Sequence, residues 1–107
     1  MRAILVALAM VASGAAMAAP ARCLLVVDGK TYLNGPCPVD VSKDGSFSIG
    51  TGPKASYFAY VTVEGPGVAK GSWNEERGAS HAHTDLGQLR RNDACWQNDR
   101  AIVCAWR

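Results

Sequence analysis

Only two histidines occur in this 107-residue sequence, and neither sign of charge dominates it. Eleven Lys and Arg against nine Asp and Glu leave a formal charge of +2. That balance provides no polybasic surface and argues against nucleic acid or anionic lipid as partner. Past the first twenty residues no apolar run is long enough to cross a bilayer, so no membrane insertion is expected of the remainder. The sequence also lacks low-complexity tracts, an obvious repeat and any stretch of convincing helical periodicity. No Gly-x-Ser-x-Gly elbow is present, which removes one familiar route to a serine hydrolase.

The first residues, MRAILVALAMVASGAAMAAP, form a pattern of their own. A cation at Arg2 precedes an apolar run from Ala3 to Ala12, and small residues end in Ala16-Met17-Ala18. This is the order of a secretory signal peptide, with cleavage after Ala18 and Ala19-Pro20-Ala21 as the weaker alternative. Arg22 stands where a lipoprotein signal needs a small residue, so a lipid anchor on Cys23 is not expected. Residues 1–18 are therefore read as a signal peptide and 19–107 as one small domain of the periplasm or the secreted fraction. Cleavage lowers the formal charge to about +1.

All four cysteines, Cys23, Cys37, Cys95 and Cys104, fall in the exported part. An even count in a small exported domain reads as two disulfides, with three connectivities open. Free thiols are the alternative. A four-cysteine zinc site is the weaker one, because Cys-x13-Cys and Cys-x8-Cys lack the close spacing of such sites.

Apolar residues otherwise alternate or run in short blocks separated by turn residues, the pattern of strands. Asp28-Gly29 suits a primed turn pairing Leu24–Val27 with Lys30–Leu33. Asn34-Gly35 reads as a second turn that returns Cys37 toward Cys23. Asp44-Gly45 precedes a strand at Ser46–Ile49, and GTGPKAS reads as a loop. Tyr57–Val63 is the longest strand signal, stopped by Glu64–Gly67 and answered by VAKGSW. Closure there by a four-residue loop places Phe58 opposite Trp73 and Tyr60 opposite Gly71. LGQLRR reads as a strand with Leu86, Gln88 and Arg90 on one face. ACWQNDRAIVCAWR closes as a hairpin bent at Asn98–Arg100, with Cys95 opposite Cys104 and Trp96 opposite Val103. The favoured pairing is then Cys23–Cys37 and Cys95–Cys104, each bridge contributing about 3 kcal/mol. Trp73, Trp96 and Trp106 read as core, Trp106 sealing the last strand. The expectation is an all-β domain, a small antiparallel β-barrel or sandwich of seven to eight short strands.

The polar stretch from Asn74 to Asp85, NEERGASHAHTD, is long for so small a domain, and loops of that length often carry function. Arg77, Ser80, His81 and His83 are donors suited to an anionic or carboxylate-lined partner, and Asp85 completes the candidate binding loop. As a metal site, His81, His83 and Asp85 would share one strand face and supply three ligands. Ser80 has no motif that pairs it with a histidine base. Glu75 and Glu76, adjacent on a strand, would point to opposite faces and serve poorly as an acid–base pair. A structural role for at least one histidine is to brace the loop by donating to a backbone carbonyl. Arg90-Arg91 reads as a solvated strand end. A binding protein with no cofactor and no catalytic activity is the favoured reading. A metal-binding protein and a purely structural envelope protein are the alternatives.

The run YFAYV…GSWN…GASHAH…LGQL…ACWQNDRAIVCAW resembles a group of small exported proteins of alphaproteobacteria, a likeness that brings no activity with it. A more distant likeness is to the periplasmic inhibitors of c-type lysozyme, small disulfide-containing antiparallel barrels. Those proteins insert a loop serine and a basic residue into lysozyme's acidic cleft. The resemblance implies that role for Ser80, although the family's Ser-Gly-x-x-Tyr pattern is replaced here by Ser80-His81-Ala82-His83. Arg90 or Arg91 would supply the basic residue on charge alone. Lysozyme is thus the specific protein partner the resemblance implies.

Overall fold

The computed structural model describes residues 21–107; the signal peptide expected over 1–18 lies outside them. Among the described residues there is no helix, and nine strands follow one another along the chain. They are β1 (Arg22–Val27), β2 (Lys30–Pro36), β3 (Val39–Val41), β4 (Phe47–Ile49), β5 (Ala59–Gly65), β6 (Val68–Trp73), β7 (Thr84–Asn92), β8 (Cys95–Gln97) and β9 (Ala101–Trp106). The sequence pattern pointed to seven or eight. The three-residue strand β3 is too short to show an alternation of its own.

All nine join one antiparallel sheet in the order β2-β1-β9-β8-β7-β6-β5-β4-β3. Eight antiparallel steps separate β2 from β3, so these two edge strands run in the same direction. They are also consecutive in the chain, and the segment Lys30–Val41 therefore changes partner partway along. Cys37 N–H still donates to the carbonyl of Ala21, ahead of β1, at 3.2 Å. One residue later the carbonyl of Pro38 accepts from Gly50 N–H, past β4, at 2.9 Å. That exchange curls the sheet into a barrel-like wrap.

Several turns follow from residue chemistry. Asp28 (φ 51°) and Gly29 (φ 80°) both take positive φ between the paired Val27 and Lys30, the geometry of a type I′ hairpin. Asn34-Gly35, by contrast, is not a turn. Both residues lie inside β2, with Gly35 opposite Cys23. Cys37 reaches Cys23 because β2 runs back along β1, leaving the two as diagonal neighbours with Cα atoms 5.9 Å apart in the first disulfide.

The β5–β6 hairpin corrects the expected register. β5 continues through Glu64, a bulge falls between Val63 and Gly65, and Pro66-Gly67 makes the turn. One extra residue on one side shifts the pairing, so Ala59 opposes Trp73 and Val61 opposes Gly71. A one-residue slip exchanges the faces of a strand. Ala59 and Val61 are buried in the core and Tyr60 is 43% exposed. A second bulge, between Gly71 and Ser72 against β7, allows Gly87 (φ 83°) to break the alternation. Leu86 and Leu89 then both point inward, and Gln88 and Arg90 point to solvent. The strand face expected to hold Leu86, Gln88 and Arg90 together does not exist.

The β8–β9 hairpin has the expected register, Cys95 opposite Cys104 and Trp96 opposite Val103. Ala105 N–H donates to the carbonyl of Ala94, which makes Cys95–Cys104 a non-hydrogen-bonded pair, the closer kind. Their Cα atoms stand 4.0 Å apart in the second disulfide. This bridge lies on the outer face, because Trp96 and Val103 take the inner one. The core collects Leu25, Val27, Phe47, Ile49, Val61, Trp73, Leu86, Leu89, Trp96 and Val103. Trp73 packs edge-on against Tyr32, centroids 4.6 Å apart, and its Nε1 has no hydrogen-bond partner among the described residues. Trp106 does not seal the barrel. Ala101, Val103 and Ala105 hold the inward positions of β9, so Trp106 faces out, 43% exposed.

Candidate functional site

The polar segment leaves β6 at Trp73 and rejoins the sheet at Thr84, so the loop proper is Asn74–His83, with Thr84 and Asp85 on β7. Its anchor is Asn74, 3% exposed. Asn74 Oδ1 accepts from Phe58 N–H at 3.0 Å. Its Nδ2 donates to the carbonyls of Ser56 at 3.0 Å and Ala79 at 3.1 Å, with a longer contact to Glu76 O at 3.4 Å. A primary amide has two donors and an acceptor with two lone pairs, so one side chain can tie the loop at Ala79 to both Ser56 and Phe58 of the preceding segment. Gly78 N–H adds a bond to Ser56 O at 2.8 Å, and Ala79 N–H closes a turn onto Glu76 O at 2.9 Å. A loop of mostly exposed residues thus hangs from one buried, satisfied amide.

Above this anchor lies a concavity of about 710 Å³ lined by Glu75, Glu76, Ala79, Ser80, His81, His83 and Thr84, with Asn74 at its base. His81 and His83 are both exposed, and their rings stack in parallel with centroids 5.1 Å apart and planes 6° from each other. Neither imidazole makes a hydrogen bond among the described residues. The bracing role expected of a histidine therefore falls to Asn74, whose amide is short enough to be buried and has more bonding positions. The Ser80 hydroxyl is likewise exposed and bonded to neither ring.

Glu75 and Glu76 also differ from expectation. β6 ends before them, and Glu75 takes φ 23°, so strand alternation does not apply. Both carboxylates line the same concavity, and Glu75 Oε1 accepts from Thr84 Oγ1 at 3.0 Å. Neither they nor Thr84 belonged to the residue set drawn from sequence. Their signal was position: they fill the loop's first turn and its exit.

Of the five residues expected to form the binding loop, Ser80, His81 and His83 share the concavity. Arg77 is exposed on the same loop but outside that lining. Asp85 is directed elsewhere. Its Oδ1 accepts from Gly87 N–H at 2.8 Å, and it borders a separate depression with Asn98, Asp99 and Arg100. Among the described residues no three His, Cys, Asp or Glu side chains converge as a metal-binding group. Arg90 and Arg91 lie at the far end of β7 from Thr84, so neither stands beside Ser80.

An ion pair flanks that depression. Arg100 Nε and Nη2 each reach a carboxylate oxygen of Asp28 at 3.2 Å, and the Asp28 N–H donates to Arg100 O at 2.7 Å. The guanidinium's hydrogen bond holds the Asp28 carboxyl below its ordinary range. Arg100 is raised in turn, by the bond it donates to Asp28 first and by the charges of Asp28, Glu75 and Asp85 after it. The chain matches no protein-family model, no curated protein and no solved structure.

Proposed function

We propose that this chain is an exported binding module, without catalysis of its own, that engages a protein partner through the loop Asn74–His83. The observation that carries the reading is the contrast within that loop. Its polar side chains are exposed and largely uncommitted, while its backbone is fastened by the buried Asn74 amide. A loop ordered before contact loses little further conformational entropy on binding, which is how a small surface reaches useful affinity. Two disulfides suit an oxidising compartment, and with the N-terminal pattern they support an exported location.

Ser80, His81 and His83 form the contact set, with Arg77 beside it as a cation. These donors suit a carboxylate-lined cleft, and the lysozyme inhibitors provide the specific version. Glu75 and Glu76 suit donor groups on the partner's rim. A lytic assay with c-type lysozyme and excess purified protein tests that version. Slowed lysis that depends on Ser80 and the two histidines is the expected result. Lysis unchanged at excess protein would remove lysozyme as the partner.

A further inference from the structure

The opposite end of the sheet holds a second cavity that the loop does not touch. Asn74 follows β6, whereas the Pro66-Gly67 turn precedes it, so the two sites lie at opposite ends of that strand. The cavity, about 560 Å³, opens among the β3–β4, β5–β6 and β7–β8 turns and the end of β9. Phe47, Val63, Trp96 and Ala105 line its interior, and all four belong to the core or pack against it. It is therefore the mouth of the sheet's own interior. Mouths of small barrels are a recurrent place for small apolar ligands, and the volume is in the usual range.

Four charged side chains ring the opening: Arg91, Arg107, Asp44 and Asp93. Three lie in turns or past the last strand. Arg91 alone is on a strand, two residues beyond the core residue Leu89 and directly opposite Trp96. It thus takes the register position that Leu89 holds one step earlier on the same face, but at the sheet's end, where its side chain is exposed. Its Nε donates to the carbonyl of Asp93 at 3.1 Å, which fixes the head without neutralising it. The Asp44 carboxylate is engaged by the N–H of Ser46 at 2.9 Å. An exposed cation at the rim of a cavity lined by Trp96, Phe47 and Val63 is complementary to an apolar body with one anionic end.

We propose that this mouth is a second binding site, for a small apolar molecule bearing one carboxylate, with Phe47, Val63 and Trp96 receiving the body and Arg91 the carboxylate. The site is independent of the loop reading. The test is a titration of the purified protein with 4-phenylbutyrate, followed by the three indole N–H resonances in a nitrogen–proton correlation spectrum. The Trp96 resonance should shift saturably while those of Trp73 and Trp106 stay in place. The neutral amide of the same compound, and 4-phenylbutyrate with Arg91→Gln, should each bind about tenfold more weakly, the loss of one charge-assisted contact. No saturable shift at Trp96, equal shifts at all three indoles, or equal affinity for acid and amide would each overturn the proposal. The acid–amide comparison uses the unaltered protein and does not depend on the variant folding.

Discussion

Phe58 and Asn74 hold each other by a reciprocal pair of hydrogen bonds, Phe58 N–H to Asn74 Oδ1 at 3.0 Å and Asn74 N–H to Phe58 O at 3.3 Å. This pair joins the loop Asn74–His83 to the start of β5. Removing the amide leaves the buried Phe58 N–H without its acceptor, frees the carbonyl of Ala79 and leaves that of Ser56 with the Gly78 N–H alone. Asn74→Ala should cost about 1–3 kcal/mol. For a domain this small each kcal/mol lowers Tm by about 4–8 °C. Urea unfolding gives the first figure. Hydrogen exchange should show faster loss of the Phe58 and Gly78 amides than of those in β9.

Steric fit at two glycines yields a second expectation. A Cβ on Gly71 would meet Leu89 Cδ1 at 2.7 Å and Leu86 Cβ at 3.2 Å, so Gly71→Ala overpacks the core and should cost about 1–3 kcal/mol. At Gly50 (φ +78°) the obstacle is backbone, the carbonyl oxygen of Tyr57 at 2.5 Å. Gly50→Ala should be the more damaging of the two, because a carbonyl cannot rotate away as a leucine methyl can. Paired denaturation curves rank them.

The β8–β9 hairpin was legible because its turn is short and its cysteines mark the register from both sides. Asp28-Gly29 was legible for a similar local reason. The β5–β6 pairing was not, since a bulge adds a residue without any mark in composition, and every side chain then changes face. The Gly87 bulge hid the inward turn of Leu89 in the same way. Asn34-Gly35 has turn chemistry but continues a strand, because pairing with β1 outweighs the local preference. In the site, Ser80, His81 and His83 were legible as one polar run. Glu75 and Glu76 were obscured by treating the end of β6 as strand, and Asn74 because burial is a tertiary property. Asp85 was misplaced by extending the loop two residues into β7.

Acid should reveal the Asp28–Arg100 pair. The folded-state pKa of Asp28 is depressed, so its stabilisation is present above the unfolded carboxyl pKa and is lost as pH falls through the folded value. Arg100→Gln should therefore lower the urea midpoint at pH 7. The two curves should converge well below about pH 4, where the carboxyl is protonated in both states. A constant gap between them at all pH values would assign the effect to packing.

Both histidines can be removed without harm to the fold. Neither ring is buried or hydrogen-bonded among the described residues, so His81→Ala with His83→Ala should stay within about 0.5 kcal/mol of the unaltered protein. Thermal unfolding checks it, and the result makes loss of binding by such variants interpretable.

The most direct test of the account is a comparative capture from envelope extract and host fluid. Unaltered protein is set against the Ser80→Ala, His81→Ala, His83→Ala variant, with recovered proteins identified by mass spectrometry. The account predicts at least one partner retained by the first and lost by the second, with unfolding curves that superimpose. Equal recovery of every partner by both proteins would contradict it and assign binding to another surface.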